Sequence, residues 1–436
     1  MADRSFQDRV ELLLKGLEEG REVRAYLRRF RERGQGCFAV IKVGGAIVDS
    51  DLETLAEALS LLHAMGLPPI VVYGAGPQLN ERLADLGVTE ERRDGLRVTP
   101  ESVMPTVAAA AAQMGHRLID AMQRRGAAAV SVHPGTVAVH VLDKDRYGMV
   151  GDVEAVDADA LVSLLSTGMV PLISCVHADA TGQLLNINAD NVARAVAEAL
   201  TPQKVVFVTS TGGILNESNE IVSSINLATE RDEIFAAPWL QGGMRHKLGE
   251  IADLLDRLPL ASSVSMTSVS GLIRELFTHS GSGTLIRRGE AIVSQASPRR
   301  EDFEGLIETA FKKTLKADYW ETFSPRYALL SEQKRAGAVV SSVAGVDFLD
   351  KFAVLSSARG EGLAKTLWHA LVDASPQLVW RSRRENPFNG FYHAQADGSV
   401  QRGPWTVYWV GRPLEARISA LADDIAAVPG HFEGET

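Results

Sequence analysis

The sequence predicts an α/β protein of two domains in series, the first built on a mainly parallel sheet. Three observations carry this. Continuous apolar runs alternate with helical stretches from Cys37 to Leu200. Glycine turns close three of those runs, and near residue 300 the texture shifts to one richer in Trp and Tyr. Strands apolar on both faces, each followed by a helix, belong to a parallel sheet covered on both sides.

Composition narrows the class. The chain has 436 residues, 45% hydrophobic and 23% charged, with a net charge of −10. That supports folded cores and argues against holding nucleic acid by bulk charge. Only Cys37 and Cys175 are present, with no CxxC or HExxH spacing, so neither a disulfide framework nor a metal site is expected. No apolar stretch reaches the roughly 18 residues of a membrane span. Acids at Asp3, Asp8, Glu11, Glu18 and Glu19 speak against a signal peptide or presequence, so a cytoplasmic location is expected.

In chain order, Phe6, Val10, Leu13 and Leu17, then Val23, Leu27 and Phe30, predict two amphipathic helices broken near Gly20. They either pack on their own domain or join subunits. Strand Phe38–Val43 precedes helix Leu52–Ala64, and strand Pro69–Tyr73 precedes helix Gln78–Leu86. Val107–Ala112 reads as buried helix; Val170–Val176 is a strand before helix Ala189–Leu200, and Val205–Thr209 is a strand entering a glycine turn. Residues 291–302, polar and carrying Pro298, are expected to form a linker. A second domain then runs from 303 to 436 and contains a strand at Trp405–Val410.

The glycine turns carry chemistry. Gly44-Gly45 follow Lys42 and its strand, Gly74 and Gly76 follow the second strand, and Gly212-Gly213 follow Val205–Thr209. At one sheet edge they would let backbone N–H groups approach an anion. Neither GxxxxGK[ST] nor GxGxxG occurs, which sets aside a P-loop or dinucleotide fold.

Six stretches resemble the acetylglutamate kinase branch of the amino-acid kinases: IKVGGAIV (41–48), YGAGPQLN (73–80), GLRVT (95–99), LLNINADNVA (184–193), TSTGGIL (209–215) and GGMRHKL (242–248). The resemblance covers 36–290 and implies an αβα sandwich holding ATP and acetylglutamate side by side. It implies that Lys42 touches the transferred phosphoryl group, Lys247 the departing phosphate, and Asp190 orients both. Gly44, Gly45, Gly74 and Gly76 would cradle phosphate and the attacking carboxylate, Gly212 and Gly213 the nucleotide, and Arg97, Asn186 and Asn188 would hold acetylglutamate. Ala75 and Ser210 depart from the family's common glycine and acid. The chemistry suits such a set: a γ-carboxylate is already ionised at neutral pH, so cations, backbone donors and ATP-borne Mg²⁺ suffice without a general base.

In the second domain, Arg359-Gly360-Glu361-Gly362-Leu363-Ala364 fits R-x-x-G-x-A, a loop that binds the diphosphate of coenzyme A at a helix start. Together with FLDKFAV (348–354), LVWRSRRENPFNGFYH (378–393) and WTVYWVG (405–411), it resembles the GNAT-type acetyltransferase domain of kinase-fused N-acetylglutamate synthases. That resemblance implies acetyl-CoA held by Phe352, Val354, Arg359, Gly360, Gly362, Leu363 and Ala364. It implies glutamate carboxylates on Lys351 and Arg381, with Asn386 and Tyr392 facing the thioester. No His or Glu stands out as the base, and a water relay is expected.

The segment from Glu275 to Thr284, with His279, Gly281 and Gly283, resembles the effector loop of arginine-inhibited kinases, which implies L-arginine as inhibitor. The family also implies a homo-tetramer. The leading expectation is a bifunctional synthase and kinase acting on L-glutamate and N-acetyl-L-glutamate. The alternatives are a synthase with a silent kinase-like domain and a non-catalytic ligand sensor.

Overall fold

Alternate residues of strand β1 (Ala39–Val43) enter two different cores. Ala39, Ile41 and Val43 pack with Leu55, Leu59 and Leu118, while Val40 packs with Ile70, Val72, Val192 and Val196. A strand buried on both faces must be apolar throughout, which is why period-2 alternation is missing from the sequence here. The computed structural model describes residues 20–32, 36–74, 76–85, 87, 91–278, 281–358, 362–386 and 388–434. The chain divides into two units at Arg288/Gly289.

The first unit's main sheet also contains β2 (Ile70–Tyr73), β3 (Ala129–Ser131), β4 (Val170–Ile173), β5 (Lys204–Val208), β6 (Ser224–Asn226), β7 (Ser263–Thr267) and β8 (Thr284–Arg287). Their order is β6-β8-β7-β5-β1-β2-β4-β3. Only β7 and β8 pair antiparallel. Because β5, β1 and β2 are adjacent and parallel, their carboxyl ends meet at one edge. All three glycine turns therefore lie together. A third core, with Val205, Phe207, Leu248 and Ile251, seats helix Gly242–Arg257 on the sheet.

A four-stranded sheet of Val137–Val141, Val150–Val156, Leu184–Ile187 and Val176–Ala178 was not visible in the sequence pattern. The expected strand Val170–Val176 divides: β4 ends at Ile173, and Val176 starts a strand of the small sheet. The Ser174 hydroxyl takes the turn, donating to Val176 O at 3.1 Å and accepting from Val176 N at 3.2 Å. Of the two expected N-terminal helices, the first lies outside the described residues. Helix Gly20–Glu32 packs on its own unit, with Phe30 5.4 Å from the Phe38 ring and 5.7 Å from the Phe277 ring.

The second unit is a seven-stranded sheet: β9 (Ile292–Gln295), β10 (Tyr327–Ser331), β11 (Ala336–Val343), β12 (Val346–Val354), β13 (Leu378–Arg383), β14 (Gly398–Arg402) and β15 (Trp405–Val410). Its order is β9-β10-β11-β12-β13-β15-β14. Residues 291–302 are thus not a plain linker. Ile292–Gln295 pairs antiparallel with β10, and helix Arg300–Phe311 begins before 302. A half-exposed edge strand of four residues beside Ser297 and Pro298 carries too weak a pattern to be read from sequence.

One parallel ladder inside this sheet is cut short. β12 pairs with β13 only at Asp347↔Leu378, Phe348↔Val379 and Leu349↔Trp380. Beyond Leu349 the two strands part, Asp350 is passed over by a register shift, and Lys351–Val354 has a partner on the β11 side alone.

Gly148 joins the first unit's layers at a φ of +72°, where an added Cβ would lie 2.3 Å from Thr99 O. Gly168, at +82°, faces open space. Gly148→Ala is expected to destabilise the protein by about 2–4 kcal/mol. Gly168→Ala is expected to cost about 1–2 kcal/mol. Thermal denaturation of the two variants side by side checks this difference.

Candidate active sites

At the shared edge of β5, β1 and β2, Asp190 lies between two lysines. Its Oδ1 is 2.7 Å from Lys42 Nζ and its Oδ2 is 3.6 Å from Lys247 Nζ. Lys42 comes from β1, and Lys247 from helix Gly242–Arg257, with its ammonium 5.5 Å from the Phe207 ring. Asp190 opens helix Ala189–Leu200, whose N-cap is Asn188; the Asn188 side chain accepts from Asp190 N at 3.0 Å. The cap fixes the first turn and so fixes where Asp190 stands. Burial alone would raise the Asp190 pKa, but Lys42 and Lys247 outweigh it and hold the carboxyl below its ordinary 3.8. The group is depressed on folding, so the cluster's contribution to stability is complete at neutral pH and is lost only as pH falls below that value.

Gly44 has an ordinary φ of −69°, and a Cβ there would meet nothing within 4 Å. The same open space faces Gly76. Neither glycine is required by the protein's own packing at these positions, which fits a bound phosphate approaching the backbone. Gly45 is buried at the start of helix Gly45–Ser50, and Gly74 lies 3.5 Å, as an added Cβ, from Ala189. Gly212 takes φ +73°, and a Cβ on Gly213 would press on Ile221 and Thr284 at 2.8 and 2.9 Å. These last two glycines serve the turn itself.

Arg97 and Asn186 meet through Thr99, which sequence reasoning did not single out. Asn186 Nδ2 donates to Thr99 Oγ1 at 3.1 Å, and Thr99 Oγ1 donates to Arg97 O at 2.9 Å. Arg97 Nη2 reaches Asn80 Oδ1 at 2.5 Å on helix Gly76–Asp85. This places Arg97 and Asn186 on one bonded set, joined to the helix that follows the second glycine turn.

In the second unit, a cleft open to solvent is lined by Lys351, Phe352, Arg381, Arg383, Asn386 and Tyr392. It brings together all the expected acceptor-side residues. The parting of β12 and β13 leaves backbone groups available beside it. Leu355 N donates to Arg335 O on the β11 side, and the pairing continues at Ala353↔Gly337. Antiparallel neighbours alternate, so the amides of Phe352 and Val354 point the other way, toward the gap. On the coenzyme side, Gly362 (φ +72°) caps helix Leu363–Ala374, with Leu363 buried and Ala364 against the core. Arg359 and Gly360 lie outside the described residues.

Two expected roles meet groups already engaged. Arg381 donates to Ile425 O, Ala426 O and Pro429 O at 3.1, 2.8 and 3.2 Å, so it ties down the end of helix Ile418–Ala427. Arg383, two residues on, stacks on Trp405 at 4.0 Å and lines the same cleft; its guanidinium makes no hydrogen bond or ion pair among the described residues. The Asn386 side chain shapes its own turn, donating to Ser382 Oγ at 2.8 Å and accepting from Phe388 N at 3.0 Å. Tyr392 packs among Phe352, Trp368, Trp380 and Tyr408, and burial pushes its hydroxyl pKa up, so it stays protonated.

Lys351 is 5% exposed and sits 2.5 Å from Asp350 Oδ2, which also accepts from Tyr319 OH at 2.9 Å. Burial would raise the Asp350 pKa, but Lys351 and His431 outweigh it and hold the carboxyl at about 2. His431 stands near the end of the chain, 80 residues from Lys351. No sequence pattern linked them.

The expected effector loop is organised from within. Glu275 is buried, and its Oε2 accepts Ser282 N at 2.9 Å and Gly283 N at 3.1 Å. Gly281 takes φ +57°, where a Cβ would strike Glu275 Oε2 at 2.5 Å, and a Cβ on Gly283 would strike Met266 O at 2.0 Å. His279 lies outside the described residues.

Comparison with known proteins matches this division. Residues 38–260 fit the amino acid kinase family, and residues 291–428 fit the family NAT, the N-acetyltransferase of N-acetylglutamate synthase. An acetylglutamate kinase of Xylella fastidiosa is 42% identical over 91% of this chain and 94% of its own length. The mitochondrial N-acetylglutamate synthase of Danio rerio is 31% identical over 90% of this chain and 74% of its own. The crystal structure of N-acetylglutamate synthase from Neisseria gonorrhoeae, complexed with coenzyme A and N-acetyl-glutamate, shares the fold over 90% of this chain and 99% of its own, with a TM-score of 0.66 at 18% identity. The chain belongs to the amino acid kinase family and carries, fused on its carboxy-terminal side, the N-acetyltransferase domain of N-acetylglutamate synthase.

Proposed function

We propose that this protein is a bifunctional enzyme of arginine biosynthesis that acetylates L-glutamate from acetyl-CoA and phosphorylates N-acetyl-L-glutamate with MgATP. The observation that carries the proposal is Asp190 between Lys42 and Lys247 at the glycine-lined edge, in a chain whose second unit opens its sheet beside a cleft.

In the kinase half, a γ-carboxylate oxygen forms the new bond to phosphorus while the bond between the γ-phosphorus and the bridging oxygen breaks and ADP leaves. Lys42 meets the transferred group, Lys247 the departing oxygen, and Asp190 keeps the two ammonium groups at the spacing of the reaction axis. Amides at Gly44 and Gly76 face the phosphate. Mg²⁺ carried by ATP supplies further charge neutralisation. Arg97, Asn186 and Asn188 hold acetylglutamate, Asn188 through the helix start that it caps. The barrier is repulsion between anions, and fixed cations and backbone donors lower it most.

In the synthase half, the amide of Phe352 or Val354 meets the thioester carbonyl oxygen at the strand gap. The glutamate amine attacks the carbonyl carbon, the C–S bond breaks, and Tyr392 donates toward the leaving sulfur. Asn386 sets the turn that carries this wall of the cleft. Glutamate carboxylates are bound by Lys351 and Arg383; Arg381 is a positioning residue for the chain's last helix. The proposal includes feedback inhibition by L-arginine, held by backbone carbonyls of the loop that Glu275 organises, and homo-tetrameric assembly.

The test is one reaction mixture of protein, glutamate, acetyl-CoA and MgATP, followed separately for free CoA and ADP. Lys42→Ala is expected to lower acetylglutamate-dependent ADP release by at least about 10²-fold while CoA release stays intact; wild-type protein without ADP release would leave only the synthase. Arg383→Gln is expected to lower kcat/KM for glutamate by about 10–100-fold, mainly through KM. Millimolar L-arginine is expected to lower both rates, and unchanged rates across that range would remove the effector site.

A further inference from the structure

Residues 429–433 lie past the stretch that matches the acetyltransferase family, which ends at 428. They are nonetheless built into the acceptor cleft, lining it with Pro429, Gly430, His431 and Phe432. The segment is tied on both sides. Lys316 N donates to His431 O and Glu433 N to Thr314 O, each at 3.0 Å, and Phe432 is buried against Phe311 at 5.1 Å. The His431 ring sits 5.1 Å from both the Tyr319 and the Phe323 rings.

The chemistry of this histidine is set by Asp350. His431 Nδ1 lies 2.8 Å from Asp350 Oδ1. An ionised carboxylate only accepts, so Nδ1 carries a proton, and in the neutral imidazole the lone pair then lies on Nε2. Nε2 makes no hydrogen bond among the described residues. Lys351 Nζ, 3.2 Å from the same Nδ1, satisfies Asp350 Oδ2 instead, leaving further donors for a substrate carboxylate. The groups facing the ring are therefore Asp350 and Lys351 on β12 and Tyr319 on its short helix. A histidine whose Nδ1 is fixed by a buried carboxylate, in a cleft that takes an ammonium substrate, is the arrangement a proton acceptor needs.

We infer that His431 is the base of the acetyl transfer, a role that rests on the synthase reading above. Nε2 takes one proton from the α-ammonium of glutamate, directly or through one water, and becomes an imidazolium that Asp350 stabilises. The freed amine lone pair forms the N–C bond. The C–S bond then breaks with its electron pair on sulfur, the thiolate receives a proton from Tyr392, and the amide nitrogen returns one to Tyr392 as it loses its extra hydrogen. Imidazolium releases its proton to solvent, so one proton leaves per turnover.

The test is the pH profile of kcat for CoA release at saturating substrates, measured on the full chain. Wild type is expected to show a rise of kcat with pH governed by one ionisation. His431→Asn keeps an N–H near Nδ1 for Asp350 and removes Nε2. It is expected to lower kcat by about 10²–10⁴-fold, to abolish that ionisation and to recover activity as pH rises, with KM for glutamate changed little and ADP release unaltered. Unchanged kcat, or a higher KM with the wild-type pH profile, would make His431 structural and overturn the inference. Should the variant melt early, the wild-type profile decides: a kcat that does not rise with pH overturns it. Absence of CoA release in wild type would instead remove the synthase reading itself.

Discussion

Two ammonium groups at the edge of a sheet repel one another, and the carboxylate of Asp190 is what lets Lys42 and Lys247 stand together. The rest of the first unit serves that arrangement. Lys42 ends a central strand, Lys247 rides on a helix anchored by Leu248 and Ile251, and Asp190 opens a helix capped by Asn188. Each charge arrives on a rigid element, which keeps positional error small where the chemistry depends on it. The net charge of the chain is −10, so the cationic character of this edge is local. It comes from placement of a few groups and not from a basic surface.

The second unit solves a different problem. An acyl transfer needs a donor at a carbonyl oxygen, and the proposed mechanism takes it from a ladder left unfinished. β12 and β13 pair for three residues and then diverge, so the amides of Phe352 and Val354 have no strand to bond. An unpaired strand edge is ordinarily a liability. Here it borders a cleft whose walls include aromatic rings on one side and a buried Lys351–Asp350 pair on the other.

Much of this was legible in the sequence. Helices Leu52–Ala64 and Ala189–Leu200 and strand Trp405–Val410 fall where periodicity puts them, because long amphipathic or fully apolar segments leave a strong signal. The lysines, Asp190 and the glycine turns were visible as motifs. The small four-stranded sheet and strand Ile292–Gln295 were not, because their strands are short, partly exposed and bounded by polar residues. The first N-terminal helix, Arg359, Gly360 and His279 lie outside the described residues.

What sequence alone determined is the chemical inventory: two anion-handling centres, the residue types in each, and an α/β architecture able to bring strand ends together. Tertiary structure decided which of two similar side chains does which work. Arg381 and Arg383 read alike in the motif and both stack on Trp405, yet only Arg381 is spent on the carbonyls of the last helix. Likewise His431 gains its Asp350 partner only because the segment that carries it folds back across 81 residues of sequence. Hydrogen-bond partners so far apart along a chain follow from packing in three dimensions, and no local spacing encodes them.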